Sequence, residues 1–195
     1  MLEHKFREMV RRLSKDGYEI STSIDGIKAH TWHMATGISG ECSELLECAC
    51  TFESTGLFDM ENATEELGDI YFYLTGLVNV HVDLKIKHNP FNEFSGSEGI
   101  LSVFSKIAIA GGGILDAVKK HCIYEKDMDY KVMQANIDML ILAMYKAYYI
   151  MGISHKEVVD ANIHKLIGGD NARYATGTYS NEQAQDRADK MVEQG

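Results

Sequence analysis

Apolar residues recur every three or four positions along most of this chain, the period of an amphipathic α-helix. Interruptions of this pattern by Gly, Ser, Asn or Pro divide the chain and predict helices over residues 2–15, 28–51, 60–81, 98–124 and 130–151. A further helix opens at Ser154, in a capping-box sequence, and ends at Gly168 and Gly169. With a single Pro in 195 residues, the sequence predicts one all-α domain over residues 1–195.

The segments between the helices are predicted from their polar and glycine content. Residues 18–27 form a connector rich in Ser, Thr, Asp and Gly, and residues 87–97, which contain Pro90, form a flexible loop. The three glycines at 111–113 predict either a kink or a place of very close helix packing. The polar tail from 170 to 195 is expected to be at best partly ordered unless a ligand or a neighbouring subunit holds it.

Two pairs of acidic residues lie on faces that are otherwise apolar. On a helical wheel, Glu41 and Glu44 share a face with Met34, Gly37, Ile38, Leu45 and Cys48. The face of Glu66 and Asp69 is shared with Ala63, Ile70, Tyr73 and Leu77. A short helix-loop-helix would bring both faces together, and buried carboxylates without compensation would be driven to protonate. One such pair would mean little in an acidic chain, but two on apolar faces predict a divalent cation with oxygen ligands.

Composition narrows the class of protein. A formal net charge of -10 argues against binding to DNA or RNA, which depends on Lys and Arg. The first residues lack the apolar core of a signal peptide, and Lys146 interrupts the apolar run at 139–151, so a soluble, cytoplasmic protein is expected. The four cysteines lack the paired spacing of a zinc site and are expected to be free thiols.

Three blocks of sequence then resemble a known family, the MazG-like all-α nucleoside triphosphate pyrophosphatases, and in particular its small phage-type members. The blocks are HMATGISGECSEL at 33–45, EELGDIYFY at 65–73, and NIHKL at 162–166 followed by Arg173 and Tyr174. The resemblance covers about residues 28–81 and 150–190. The middle region, 82–150, is longer than in compact members, and is expected to build a subunit interface or a lid. Gly40 stands where many members carry another Glu, which leaves the general base open.

The resemblance implies an oligomeric helical bundle that hydrolyses a nucleoside triphosphate between its α and β phosphates, releasing a monophosphate and diphosphate. Glu41, Glu44, Glu66 and Asp69 would then bind two or three Mg²⁺ ions, with Mn²⁺ as a substitute. Glu47, one turn beyond Glu44, is either a water-orienting base or a solvated surface residue.

Further residues are candidates for substrate contact, each with a structural alternative. Asn162 and Lys165 either contact phosphate, sugar or metal-bound water, or cap the bundle interior. Trp32 and His33 either stack on the base or pack internally. The remaining phosphate candidates, which are otherwise surface charges, are Lys119, Lys120, Arg173, Arg187 and Lys190.

Other functions remain to be weighed. A di-iron carboxylate protein would need Glu-x-x-His pairs, which the chain lacks. A catalytically silent helical module for nucleotide sensing or protein binding is the alternative from outside the enzymes. If the protein is an enzyme, its expected substrates are deoxynucleoside triphosphates, and dGTP or dATP is favoured weakly over dUTP or dCTP. By analogy with the family, a homodimer or homotetramer is expected.

Overall fold

A computed structural model describes residues 2–88, 98–168 and 171–186, and every regular element in these ranges is a helix. The prediction of an all-α fold is therefore confirmed. The helices are α1 Leu2–Leu13, α2 Gly17–Ser23, α3 Gly26–Thr55, α4 Met60–Asn79, α5 Ile100–Tyr124, α6 Tyr130–Met151, α7 His155–Ile167 and α8 Asn181–Asp186.

The longest helix, α3, is the centre of the fold. It packs against α4 on one side and α5 on another, while α6 packs on α5 and α7 on α4. The contact residues Ile38 and Leu45 of α3, Leu67 of α4 and Ile107 of α5 are fully buried. Since these side chains follow the three-to-four residue period of their helices, the core forms where the apolar stripes meet.

Local capping explains where α3 begins and ends, beyond both limits of the predicted helix 28–51. Asp25 precedes the helix and accepts a hydrogen bond from the backbone N–H of Lys28 at 2.8 Å. Gly56 follows it with a left-handed φ of 73° and donates its backbone N–H to Phe52 O. A side-chain cap and a glycine stop thus set the two ends of a 30-residue helix.

The connector predicted over 18–27 was wrong for its first part, which forms α2. Asp16 accepts hydrogen bonds from the backbone N–H groups of Tyr18 and Glu19. The hydroxyls of Ser21 and Thr22 donate back to Tyr18 O. Polar residues that signal a loop here satisfy their hydrogen bonds within one short capped helix.

The middle region contributes α5 and α6 to the core, and the subunit interface or lid expected of it stays a prediction. The glycine run lies within the unbroken helix α5 and marks close packing. A Cβ atom at Gly111 would lie 2.7 Å from Cys42 Sγ of α3, and one at Gly113 would lie 2.4 Å from Asn136 Oδ1 of α6. Two of the three glycines therefore let α5 approach both of its neighbours.

The predicted loop at 87–97 falls mostly on residues outside the described ranges. The polar tail, expected to be at best partly ordered, is described from 171 to 186 and returns to the end of α7. The backbone N–H groups of Arg173 and Tyr174 donate to the carbonyls of Lys165 and Leu166, at 3.0 and 2.8 Å. These bonds satisfy carbonyls that a helix end would otherwise leave without a partner.

One helix in the described part of the chain, α5, is long and apolar enough to cross a membrane by length and composition. A second would qualify only if α6 and α7, which are bent by 96°, formed one span. The core helix of a soluble protein passes the same test. About a third of the apolar window in α5 is buried, Val103, Phe104 and Ile107 of this helix are fully buried, and the cytoplasmic location stays a prediction.

Candidate metal centre

Three carboxylates from two helices converge in the interior of the α3–α4 hairpin. Glu41 of α3 and Glu66 and Asp69 of α4 each offer an oxygen atom, and these atoms lie within 4.8 Å of one another. Glu66 is buried, while Glu41 and Asp69 are half-buried. Three acids so close together in a partly dry environment are unfavourable unless a proton or a cation offsets their charge.

The local sequence holds these acids in place through their apolar neighbours. Ile38 and Leu45 flank Glu41 on the inner face of α3, and Leu67 and Ile70 flank Glu66 on α4; all four are fully buried. Because these residues fix the rotation of both helices, Glu66 stays buried and Glu41 and Asp69 stay at least half-buried. The predicted inward orientation of Glu41, Glu66 and Asp69 agrees with their position.

The electrostatics of this cluster show its need for compensation. Burial, the hydrogen bond with Glu41 and the charges of Glu41, Glu44 and Asp69 together raise the pKa of Glu66 to about 8, with burial the largest cause. Burial likewise raises the pKa of Glu41, against the lowering effect of the shared hydrogen bond. Without a cation, the Glu41–Glu66 pair therefore holds a proton near neutral pH.

The fourth predicted ligand, Glu44, stands apart from this group. Its side chain is exposed and outside the three-carboxylate cluster. Its negative charge nevertheless contributes to the raised pKa of both Glu41 and Glu66, which places it beside them. Glu44 therefore lies at the solvent-facing edge, with the exposed Glu47 one turn further along α3.

Helix α7 brings the two predicted substrate residues to the same carboxylates. Asn162 Nδ2 donates to Asp69 Oδ1 at 2.7 Å, and Lys165 Nζ reaches Asp69 Oδ2 at 2.5 Å and Glu65 Oε1 at 3.0 Å. A Cβ atom at Gly68 would lie 3.0 Å from Asn162 Cβ, so this glycine makes room for α7. Glu65, which lies in the second resemblance block, was missed as a partner of Lys165.

An aromatic residue that the sequence analysis did not assign to the site lies beside it. The pKa of the Tyr73 phenol is raised by burial and by the charges of Glu41 and Asp69, and lowered by Arg173, so all three lie near its ring. A Cβ atom at Gly37 would lie 2.4 Å from this ring, so Tyr73 fills the space that the glycine leaves. Its position on the inward arc of α4, four residues after Asp69, was the available signal.

The structure separates the other predicted substrate residues. His33 is exposed and meets Tyr73 edge-on, with 5.9 Å between ring centroids, whereas Trp32 is half-buried against the core. Lys119 and Lys120 are exposed near the end of α5, where Lys120 pairs with Asp116 at 2.5 Å, and the structure does not bring them to the carboxylates. The predicted phosphate contacts Arg187 and Lys190 lie outside the described residues.

The donor set fits a hard divalent cation. Glu41, Glu66 and Asp69 present only oxygen atoms, and Glu44 adds a carboxylate at the open edge. Carboxylate oxygens suit Mg²⁺, Ca²⁺ or Mn²⁺, whereas zinc and copper sites commonly use sulfur or imidazole nitrogen. The raised pKa of Glu66 supplies a reason for a cation to bind, since the cation would replace the proton there.

Metal-free protein is expected to lose thermal stability as pH rises from about 5 to 8. The pKa of Glu66 is about 8 in the folded chain against 4.5 for the unperturbed group, so over this range the folded state keeps a proton that the unfolded state has lost. Raising the pH therefore favours unfolding. Thermal unfolding in EDTA across this range, with E66Q as the control, measures the effect. Parallel curves for the two proteins would show that Glu66 titrates normally.

No protein-family model, curated protein or solved structure matches this chain. The resemblance to the MazG-like enzymes therefore stays a prediction that rests on the three sequence blocks.

Proposed function

We propose that this protein is a Mg²⁺-dependent nucleoside triphosphate pyrophosphohydrolase, which cleaves between the α and β phosphates and releases a monophosphate and diphosphate. The observation that carries the proposal is the convergence of Glu41, Glu66 and Asp69 within 4.8 Å. The first two of the three sequence blocks that resemble the MazG-like family contribute these same acids, and the third contributes Asn162 and Lys165. A bound Mg²⁺ would supply charge neutralisation at the phosphates and a more acidic water molecule.

The carboxylates have distinct tasks in this proposal. Glu41, Glu66 and Asp69 hold the cation, since they lie together and two of them, Glu41 and Glu66, are destabilised as anions by burial. Glu44, at the solvent-facing edge, completes the ligand set from outside. The exposed Glu47 is the nearby carboxylate left to orient or deprotonate the attacking water.

The cationic and amide groups of α7 and the tail serve the triphosphate. Lys165 already lies against Asp69, so its ammonium group is beside the place where a metal-bound phosphate would sit. Asn162 fixes the orientation of Asp69 through a 2.7 Å hydrogen bond and keeps its carbonyl oxygen for a further contact. Arg173 lies close enough to Tyr73 to lower the pKa of its phenol, which places a guanidinium group at the same edge.

The choice of base lies outside the carboxylate cluster, since carboxylates and their cation contact phosphates alone. Aromatic surface near the cluster comes from Tyr73 and His33, which meet edge-to-face. Rings of this kind stack on any nucleobase. The proposed substrates are therefore deoxynucleoside triphosphates as a class, with the lean to dGTP and dATP carried over from the sequence.

Product analysis tests this proposal directly. Purified protein is incubated with each canonical dNTP, dUTP and the four ribonucleotides, with Mg²⁺ or with EDTA, and products are separated by ion-exchange chromatography. We expect a nucleoside monophosphate and inorganic diphosphate to appear in the presence of Mg²⁺ and not in the presence of EDTA. Release of inorganic phosphate and a nucleoside diphosphate would contradict the proposed cleavage between the α and β phosphates. No turnover of any substrate would favour the catalytically silent module.

A further inference from the structure

Helix α1 presents an apolar stripe that nothing in the described chain covers. Its apolar residues recur with helical spacing along one face, and every residue of α1 is exposed. These residues are Leu2, Phe6, Met9, Val10 and Leu13. Phe6 and Leu13 are 60% and 76% exposed. A 12-residue helix is marginal in water on its own, so covering this face would stabilise it.

The stripe continues onto the body of the protein as a groove. The groove has a volume of about 420 Å³ and is lined by Met9, Val10, Leu13, Ser14, Lys15 and Tyr124. Lys15 Nζ donates to Ile123 O at 2.6 Å and so ties the base of α1 to the end of α5. The groove thus has an apolar floor that is held in place by a hydrogen bond to the core helix.

Charge is distributed unequally between α1 and the rest of the chain. Residues 2–15 contain five Lys or Arg and two Asp or Glu, a formal charge of +3, which leaves -13 on the remainder of a chain of -10. Between Lys28 and Lys85 there are ten Asp or Glu and no Lys or Arg. The positively charged helix α1 is therefore attracted electrostatically to the α3–α4 hairpin, which carries most of the net negative charge.

The turn of that hairpin has the apolar and charged side chains to complement the groove. Leu57 at the turn is 78% exposed and the adjacent Met60 is also exposed. The carboxylates of Glu53, Asp59 and Glu61 surround them and are exposed too. An apolar tip with an acidic rim complements an apolar groove with a basic rim.

The groove and the turn of one chain lie at opposite ends of α3. Cys122 Sγ contacts Lys28 O at 3.5 Å, which sets the end of α5, and with it the groove, beside the start of α3. The turn follows Thr55 at the other end of α3, about 45 Å away for 30 residues at about 1.5 Å each. The α1 helix, about 18 Å long, does not bridge this distance. The complementary turn must come from another molecule.

We infer that the α1 groove binds the turn of the α3–α4 hairpin of a second copy of this chain. Two copies lying antiparallel would place each groove against the other's turn, so the two contacts are equivalent and the assembly closes as a dimer. An anionic membrane is the other partner typical of a basic amphipathic helix, but the -13 charge on the rest of the chain would be repelled by it. The contact lies apart from the carboxylate cluster. The proposed interface therefore does not depend on the reaction proposed for this cluster.

Sedimentation velocity of the full chain at about 100 mM and at about 500 mM salt tests this interface, since charged contacts weaken as the Debye length shortens. We expect a dimer that dissociates at the higher salt. L13S and L57S should each halve the apparent mass at low salt while far-UV circular dichroism is unchanged. V82S, which removes an exposed apolar residue outside both surfaces, is the matched control and should remain a dimer.

A charge exchange tests the pairing itself. R11E/R12E should be monomeric, and adding E53K/E61K in the same chain should restore the dimer. A monomeric wild type, a dimer that survives both L13S and L57S, or a combined variant that stays monomeric would each overturn the inference. Wild type that is monomeric but floats with vesicles of phosphatidylcholine and phosphatidylserine, when L13S does not, would assign α1 to membranes instead.

Discussion

E41Q is expected to lower kcat/KM for the best substrate by roughly 10³-fold, because several kcal/mol of charge stabilisation depends on the bound cation. Glu41 is the one α3 carboxylate in the three-carboxylate cluster, so its loss leaves only the two α4 carboxylates in that cluster. The uncharged amide keeps the size of the side chain and removes a destabilising negative charge. The variant should therefore remain folded, with a melting temperature at or above that of the wild type.

The matched control for E41Q is E19Q, an exposed glutamate on α2 that is far from the cluster along the chain. It should retain wild-type kinetics. D69N should reproduce the loss seen in E41Q, since Asp69 belongs to the same cluster. Isothermal titration with Mg²⁺ and steady-state kinetics measure binding and turnover separately. Wild-type kinetics in E41Q would remove Glu41 from the mechanism.

Alanine at two neighbouring glycines should change stability in opposite directions. At Gly111 the new Cβ would lie 2.7 Å from Cys42 Sγ and 3.2 Å from Cys42 Cβ, in the tight contact of α5 with α3. Overpacking of this kind costs about 1–3 kcal/mol, which lowers the melting temperature by about 3–9 °C for a protein of this size. Gly112 has nothing within 4 Å of its added Cβ, and alanine there gains about 0.5–1 kcal/mol.

Thermal unfolding of G111A and G112A therefore measures whether the glycine run serves packing. The two variants have the same composition, so any difference in melting temperature comes from their surroundings. Equal shifts in both would show that α5 does not approach α3 closely at Gly111. The sequence left a kink and close packing as alternatives here, and only the position of Cys42 distinguishes them.

Parts of the fold were predictable because they depend on neighbours in sequence. The periodicity placed five long helices within a few residues of their observed positions, and Ser154 and Glu157 do form the predicted capping box. The short helix α2 was missed because Ser21 and Thr22 are as typical of loops as of a capped helical turn. The position of α5 and α6 could not be predicted, because an apolar stripe shows that a helix face is buried but not which helix it packs against.

The same division applies to the candidate site. The spacing of Glu66 and Asp69 predicted that both point inward, as they do. For the pair on α3, the same spacing predicted that Glu41 and Glu44 both point inward, which was wrong for Glu44, since its side chain is exposed. Residues three apart differ by about 60° around the helix, so the rotation of α3 against α4 decided that Glu41 joins the cluster while Glu44 stays at the edge.

The sequence by itself determined the all-α class, the capping box that begins α7 and the acidic character of two inner helix faces, because hydrogen bonds and side-chain neighbours within four residues decide these features. Tertiary structure alone decided that Lys165 meets Asp69 across 96 positions and that Tyr73 fills the space beside Gly37. Such contacts depend on the rotation and spacing of packed helices, which follow from the shape of the whole core and not from any local period.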